Sequence, residues 1–102
     1  CLDSARYGIA WGAIGAAMDC YDSARIYALE RKQFGRPLAA FQLTQKKLAE
    51  MLTEITKAQL LAWRLGILKN EGKATTAQIS LAKRNNVEMA LNIAREARQI
   101  HG

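Results

Sequence analysis

The amino-acid sequence predicts an all-α fold made of three long antiparallel helices. Apolar residues recur at the i, i+3/i+4, i+7 spacing of one helix face over most of the 102 residues. The pattern is interrupted at residues 34–37 and at Gly72, where glycine or proline ends a helix. The predicted helices run from about residue 3 to 33, 39 to 70 and 76 to 101. Because such helices are far longer than the usual ~11–12 residues, we expect them to be part of a bundle with further members.

The first predicted helix is apolar nearly all round in its N-terminal half, which is typical of a buried helix. Glycines recur there at Gly8, Gly12 and Gly15. Each costs about 1 kcal/mol in helix propensity but lets another backbone approach closely. We therefore expect this half to pack tightly against other protein. The large side chains expected on one side are Tyr7, Trp11, Ile14 and Met18.

The second and third predicted helices each have one apolar face. Gly35 permits positive φ, and Pro37 disfavours helical backbone at Arg36, so the chain turns between the first two helices. Gly72 ends the second helix, and Thr75-x-x-Gln78 has the form of a capping box for the third. In the second helix the predicted buried residues are Leu48, Met51, Leu52, Ile55, Ala62 and Leu65, with Leu60, Leu61, Trp63, Ile67 and Leu68 widening the face. In the third they are Ile79, Ala82, Met89, Ala90, Ile93, Ala94, Ala97 and Ile100.

Composition narrows the classes of function. The formal net charge is +6, but the basic residues are interleaved with glutamates, which is typical of solvated helix faces. The apolar run Ile9–Met18 is about half the length of the ~20 residues that span a membrane. Two cysteines and one histidine are too few for a disulfide framework or a metal cluster, so we expect no metal and reduced thiols. The chain opens at Cys1 rather than Met, and we expect it to be a piece of a longer protein.

The turn after the first helix carries residues that a plain connection does not need. Arg31 precedes it, and the planar fork of an arginine suits two oxygens of a pyrophosphate. Gln33 and Gln42 offer amide groups on either side, while Phe34 and Leu38 offer an apolar cover for a ring or a ribose. Each also has an ordinary alternative, as a surface arginine, a surface amide or a core side chain. Spacing by itself leaves both a phosphate site and a plain turn open.

The segment YALERKQFGRPLAAFQLTQKKLAEM resembles the one that enters the C-terminal helical domain of the acyl-CoA dehydrogenases. In that family a segment of the form Arg-x-x-Phe-Gly-x-x-Leu-x-x-x-Gln contacts FAD that is held mainly by the neighbouring subunit. The residues that match this form position by position are Arg31, Phe34, Gly35, Leu38 and Gln42. The resemblance implies three members of an up-and-down four-helix bundle, with Gln33 joining these residues in binding FAD. It also implies a homotetramer that passes electrons to an electron-transfer flavoprotein.

Within the family, the segments CLDSARYGIAWGAIG and KLAEMLTEIT resemble the glutaryl-CoA dehydrogenases most. There a segment like Cys1–Arg6 lines the acyl-CoA site, which implies that Ser4 and Arg6 lie on the substrate side. Asp3 aligns with an aspartate that touches coenzyme A in medium-chain relatives, although a plain helix-start pair between Asp3 and Arg6 is an alternative. The implied reaction is the dehydrogenation and decarboxylation of glutaryl-CoA to crotonyl-CoA. The implied location is a bacterial cytoplasm or a mitochondrial matrix.

The resemblance also implies that the catalytic base is absent from these residues. In most of the family the base is a Glu in a segment that would begin near where Gly102 ends. In the isovaleryl branch the Glu stands at the position of Ala5, which cannot abstract a proton. We therefore expect this chain to supply FAD and subunit contacts but no catalytic residue. Three alternatives stay open: another short-chain acyl-CoA dehydrogenase, a non-enzymatic helical interaction module, and a basic nucleic-acid-binding bundle.

Overall fold

A computed structural model describes residues 2–33, 35–37 and 41–102, with residues 2, 3, 33 and 37 described by their backbone alone. Three helices account for most of this part of the chain: α1 (Leu2–Glu30), α2 (Gln42–Asn70) and α3 (Thr76–His101). They form an elongated bundle of 56 × 18 × 15 Å. Two short strands, β1 (Lys32–Gln33) and β2 (Arg36–Pro37), pair antiparallel between α1 and α2. The all-α prediction is confirmed, and this small hairpin was not predicted.

The hairpin corrects the predicted end of the first helix. Helix α1 ends at Glu30 rather than Gln33, because the pairing of Gln33 with Arg36 requires extended backbone at β1. Gly35 has φ of +77°, which permits the tight reversal between the two strands. Helix α2 begins at Gln42, after an extended Phe41. The predicted start of this helix at Ala39 lies outside the described residues.

The connection between α2 and α3 follows the predicted signals. Gly72 has φ of +71°, its N–H donates to the Lys69 carbonyl at 3.1 Å, and the Lys73 N–H donates to the Leu68 carbonyl at 2.8 Å. This is the Schellman arrangement that satisfies the last carbonyls of a helix. The capping box at the start of α3 is also confirmed. The Thr75 hydroxyl accepts from the Gln78 N–H at 3.1 Å, and the Gln78 side chain accepts from the Thr75 N–H at 3.0 Å.

The buried face of α1 is built mainly from alanine. The large side chains predicted on one side of this helix differ in burial: Ile14 is buried, Tyr7 is half-buried, and Trp11 and Met18 are 38% and 43% exposed in this chain. Small side chains let α1 approach α3 closely, and an apolar-all-round sequence contains no polar face that would reveal which side is buried. No described atom lies within 4 Å of a Cβ built on Gly8, Gly12 or Gly15, so the close approach predicted at these glycines is not made by α2 or α3 and stays a prediction. The buried residues of α1 are Ala10, Ile14, Ala17, Ala24 and Ala28.

The buried faces of α2 and α3 largely match the prediction. The buried side chains are Met51, Ile55, Ala58, Ala62 and Leu65 in α2, and Ile79, Ala82, Asn86, Met89, Ile93, Ala97 and Ile100 in α3. Leu52 and Ala94 are exposed, contrary to the prediction, because they lie at the edges of their apolar faces. Of the residues predicted to widen the α2 face, Leu60 and Trp63 are each 62% exposed and Leu61 is also exposed, whereas Ile67 and Leu68 are half-buried.

Asn86 is a buried polar residue that periodicity alone did not select. Its side chain is 0% exposed and its Nδ2 donates to the Ala10 carbonyl of α1 at 3.1 Å. Its Oδ1 accepts from the Asn85 side chain at 3.0 Å, so both ends of the amide are satisfied. The contact with Ala10 penalises sliding of α3 along α1, because sliding would take the buried Nδ2 away from its one described partner on α1.

We expect Asn86→Ala to lower the free energy of unfolding by about 1–3 kcal/mol, since it removes a buried hydrogen bond and leaves a small void. Denaturant unfolding of the protein that carries this chain measures the change. Asn92→Ala is the matched control on the exposed side of the same helix, with an expected change within about 0.5 kcal/mol. Equal losses for the two variants would refute the role given to Asn86.

Candidate functional site

Arg31 lies at the mouth of a cleft at the hairpin end of the bundle. Its backbone N–H donates to the Tyr27 carbonyl at 2.8 Å, which extends the hydrogen bonding of α1 by one residue and leaves its side chain exposed. The cleft has a volume of about 590 Å³ and is bordered by all three helices and by β1. Its other lining residues are Tyr27, Lys32, Leu43, Thr44, Lys47, Gln99, Ile100, His101 and Gly102.

The charges around this cleft all have the same sign. Arg31, Lys32 and Lys47 are permanent cations, and no carboxylate is among the described residues that line it. The Lys47 ammonium donates to Gln99 Oε1 at 3.3 Å, so its one described side-chain partner is a neutral amide. Uncompensated cations in a concave site attract anions and raise their local concentration. The arrangement fits a diphosphate, with the Arg31 fork available for two oxygens at once.

The end of α3 is held against α1 beside this cleft. His101 Nε2 lies 3.3 Å from the Ser23 hydroxyl, and its ring centroid lies 4.5 Å from that of Tyr27, at 50°. Gly102 has φ of +85°, and its N–H donates to the Gln99 carbonyl at 3.2 Å. Sequence analysis missed Lys47, Gln99 and His101 as members of this site. They come from different helices, and no local spacing in the sequence connects them with Arg31.

The structure places Gln42 near Arg31 but in a separate depression. This second cleft has a volume of about 530 Å³ and is lined by Arg36, Phe41, Gln42, Leu43 and Gln45. The Arg36 guanidinium lies 5.4 Å from the centre of the Phe41 ring, a cation–π distance. Leu43 borders both clefts, which makes them neighbours.

Other predicted cofactor contacts are described only in part. Gln33 belongs to β1, but its side chain is not described. The predicted contacts at Phe34 and Leu38 lie outside the described residues.

The predicted substrate-side residues lie at the opposite end of the bundle and point to different flanks of α1. Ser4 accepts a hydrogen bond from the Lys69 ammonium of α2 at 3.4 Å. Arg6 donates to the Ser80 hydroxyl of α3 at 3.5 Å. Two residues along a helix differ by about 200° in direction, so the structure does not bring these two side chains together. The side chain of Asp3 is not described.

The predicted substrate-side residues lie far from the predicted cofactor contact Arg31. Arg6 and Arg31 are separated by 25 positions of nearly continuous helix, which is about 37 Å at 1.5 Å per residue. A single copy of the chain therefore cannot bring both residues to one reacting centre. If both sets are functional, they serve different ends of a large ligand or different centres.

Tyr7 fixes the N-terminal part of α1 against α2 beside Ser4. Its hydroxyl donates to the Ala62 carbonyl at 3.2 Å, and the Lys69 ammonium lies 5.7 Å from the centre of its ring. The hydroxyl reaches that carbonyl across Gly66, where an added Cβ would overlap it. Gly66 is thus explained by a close approach rather than by its φ angle.

Other types of site find no support in the described residues. No three His, Cys, Asp or Glu side chains in this part of the chain are grouped to hold a metal ion. Within the same ranges, no helix has an apolar stretch sufficient to cross a membrane. Cys20 is a half-buried free thiol.

Comparison with known proteins identifies the family. A family model described as the C-terminal domain of acyl-CoA dehydrogenase matches residues 1–102. The structure of a glutaryl-CoA dehydrogenase from Mycobacterium smegmatis is 52% identical with a TM-score of 0.96, covering 100% of this chain and 26% of that one. A glutaryl-CoA dehydrogenase from the same organism in complex with FADH2 is 47% identical with a TM-score of 0.96, again covering 100% and 26%. The mitochondrial short-chain specific acyl-CoA dehydrogenase of Bos taurus is 42% identical over 101 residues, which is 99% of this chain and 24% of that protein.

The chain belongs to the acyl-CoA dehydrogenase family, and it matches the C-terminal domain of that family. This is a family of FAD-dependent oxidoreductases, which agrees with a cation-lined cleft at the turn where the cofactor motif was predicted. The chain spans about a quarter of the length of the relatives it matches. The activity of the whole protein is therefore a matter for proposal.

We expect Gly66→Ala to lose most or all of the stabilisation of about 1 kcal/mol that the same change normally gives in a helix interior. The added methyl would displace the Tyr7 hydroxyl from the Ala62 carbonyl. A double-mutant cycle with Tyr7→Phe, read by denaturant unfolding, should give a coupling energy of about 1 kcal/mol or more. If Gly66→Ala has the same effect with Tyr7 or Phe at position 7, the close approach is not what requires glycine.

Proposed function

We propose that the chain is part of an FAD-dependent acyl-CoA dehydrogenase that oxidises and decarboxylates glutaryl-CoA to crotonyl-CoA. Residues 1–102 would form part of its C-terminal helical domain and supply contacts to FAD and to other subunits. The observation that carries the proposal is the cleft at the hairpin end, where Arg31, Lys32 and Lys47 meet without a carboxylate. That arrangement stands at the turn that carries the family's cofactor motif.

In this proposal each residue at the turn has a distinct part. Arg31 binds two oxygens of the FAD diphosphate through its fork, and Lys47 adds a positive charge across the cleft. Gln33 and Gln42 donate or accept hydrogen bonds on either side, while Phe34 and Leu38 cover the apolar part of the cofactor. Gln99, held by Lys47, is an additional polar contact on the α3 side.

The chemistry itself requires groups from elsewhere in the protein. Bound FAD supplies the acceptor for the hydride that leaves the β-carbon of the substrate. A carboxylate must remove the α-proton, and we assign no catalytic residue to this chain. Ala5 is an exposed methyl group on α1 and offers no proton acceptor. In this proposal the chain therefore helps to bind and orient FAD, and it takes no part in proton abstraction.

The assignment to glutaryl-CoA has support from two sources. The identity of 52% to a glutaryl-CoA dehydrogenase extends over the whole chain. The segment Cys1–Arg6 has the glutaryl-type sequence. A short-chain acyl-CoA dehydrogenase is the second candidate, because its relatives match over nearly the whole chain as well.

The outer faces of the bundle favour an oligomer. Leu60 and Trp63 on α2 and Leu81 on α3 are each 62% exposed, and large exposed apolar groups usually mark contact surfaces. We propose a homotetramer that donates its electrons to an electron-transfer flavoprotein. A bacterial cytoplasm or a mitochondrial matrix is the proposed location.

The first test is the visible absorbance of the full-length protein before and after anaerobic addition of glutaryl-CoA. We expect a yellow protein whose flavin band bleaches, with crotonyl-CoA and carbon dioxide as products. Bleaching with butyryl-CoA but not with glutaryl-CoA would refute glutaryl-CoA as the substrate and favour a short-chain acyl-CoA dehydrogenase. A protein that stays colourless after incubation with FAD would overturn the flavin assignment.

We expect Arg31→Ala to weaken FAD retention in the full-length protein by roughly tenfold or more, since a charge-assisted contact contributes about 1.5–3 kcal/mol. Flavin content after extensive dialysis measures the effect. Arg25→Ala is the matched control, because Arg25 lies on the same helix and pairs with Asp22 at 3.9 Å. Unchanged flavin content in the Arg31 variant would defeat its assignment to the diphosphate.

A further inference from the structure

Lys47 and Gln99 connect α2 to α3 at the cleft of the hairpin end. The Lys47 ammonium donates to Gln99 Oε1 at 3.3 Å, although 52 positions separate the two residues in the chain. Both residues line the cleft, together with Arg31 and Lys32. The hydrogen bond therefore lies at the proposed cofactor site, where it can affect how a ligand is held.

This hydrogen bond has only one possible polarity. An ammonium group has N–H donors and no acceptor, so the atom of Gln99 that meets Lys47 must be the amide oxygen. The other end of the amide is its NH2 group, which can only donate. While Lys47 holds the oxygen, the free end of the Gln99 amide is therefore a donor.

The other charged side chains of the cleft also offer donors. The Arg31 guanidinium and the Lys32 ammonium can donate but cannot accept. The oxygens of an ionised diphosphate have the opposite property, since they accept hydrogen bonds and have no proton to donate. A Gln99 amide turned the other way would present its oxygen to those oxygens and repel them. The orientation that Lys47 imposes is thus the one that favours this anion.

The backbone of Gln99 is fixed independently of Lys47. Its carbonyl accepts from the Gly102 N–H at 3.2 Å, in the last turn of α3. His101 packs its ring against Tyr27 of α1, with 4.5 Å between the ring centroids. The Gln99 side chain beyond this backbone is long and flexible, and ordering it costs free energy. The bond to Lys47 orders that side chain before a ligand binds, so less ordering remains to be done on binding.

We infer that Lys47 is a positioning residue, which holds the Gln99 amide so that its NH2 group is free to donate to the cofactor diphosphate. The inference rests on the proposed function, through FAD as the cofactor, and is independent of which acyl-CoA is oxidised. Gln99 touches the ligand, and Lys47 acts through Gln99 in addition to the charge that it brings.

A double-mutant cycle on FAD affinity separates positioning from charge. In the full-length protein, Lys47→Met removes the ammonium and Gln99→Met removes the amide. We expect the loss of FAD affinity caused by Lys47→Met to be about three- to fivefold smaller when position 99 is already Met. Additive effects of the two changes would overturn the inference.

Lys32→Met is the matched control, because Lys32 lines the same cleft, whereas the described hydrogen bond to Gln99 Oε1 comes from Lys47. Loss of the Lys32 charge should weaken FAD binding equally with Gln or Met at position 99. If Lys32 and Gln99 were coupled as strongly as Lys47 and Gln99, the effect of Lys47 would be electrostatic only and the inference would fail.

Gln99→Glu distinguishes positioning from a purely structural connection between the helices. A carboxylate at this position keeps a partner for Lys47, but it replaces the donor at the free end by an acceptor. We expect this variant to bind FAD about tenfold or more weakly than the wild type, because a charge-assisted contact is lost. Wild-type affinity in this variant would show that only the connection matters, and would refute the inference.

Inorganic pyrophosphate separates this inference from the proposed function. Titrated by calorimetry into the full-length protein after removal of any flavin, it should show the same coupling between Lys47 and Gln99 and the same additivity for Lys32. If the protein takes up no FAD but this coupling is observed, the proposed function fails and the positioning by Lys47 stands. If FAD binds and both cycles are additive, the positioning fails and the proposed function stands. If neither ligand binds, both fail.

Discussion

The close packing of α1 against α3 positions both ends of the bundle. Alanines at the buried face of α1 are each 0% exposed, so the two backbones approach without large side chains between them. Asn86 adds a directional contact, because its amide reaches the Ala10 carbonyl at 3.1 Å. Sliding by one turn would keep the alanine contacts similar but would take Nδ2 of this amide away from the Ala10 carbonyl. The apolar contact thus stabilises the packing of α1 on α3, and the hydrogen bond of the amide defines the register of the two helices.

The contacts between α1 and α3 at both ends of the bundle depend on that register. At one end, His101 meets Ser23 and Tyr27 of α1, which holds the C-terminus of α3 beside Arg31. At the other end, Arg6 of α1 meets Ser80 of α3. A shift of about 5 Å along the axis, one helical turn, would separate the partners at both ends. The buried amide of Asn86 therefore affects contacts about 9 Å away along α3, at Ser80, and about 22 Å away, at His101.

Long helices, their faces and their ends were predictable because the physics behind them is local. The Thr75–Gln78 capping box and the stop at Gly72 involve neighbours in the chain, and the apolar periodicity of α3 is expressed in its own residues. The hairpin at β1 and β2 was missed because two-residue strands are too short to show alternation. The side of α1 that faces α3 was not predictable, because its N-terminal half is apolar nearly all round and has no polar face to mark the solvent side. Close helix approach selects small side chains, and the buried face consists mainly of alanine.

The sequence by itself determined an all-α protein, and its cofactor motif pointed to the acyl-CoA dehydrogenase family. Those properties depend on composition, periodicity and spacing within short segments. The tertiary structure decided which side chains share a site. It brought Lys47 and Gln99 to Arg31, placed Gln42 in a neighbouring cleft, and separated Ser4 from Arg6. Such juxtapositions join residues tens of positions apart, and they depend on how the helices pack rather than on any pattern along the chain.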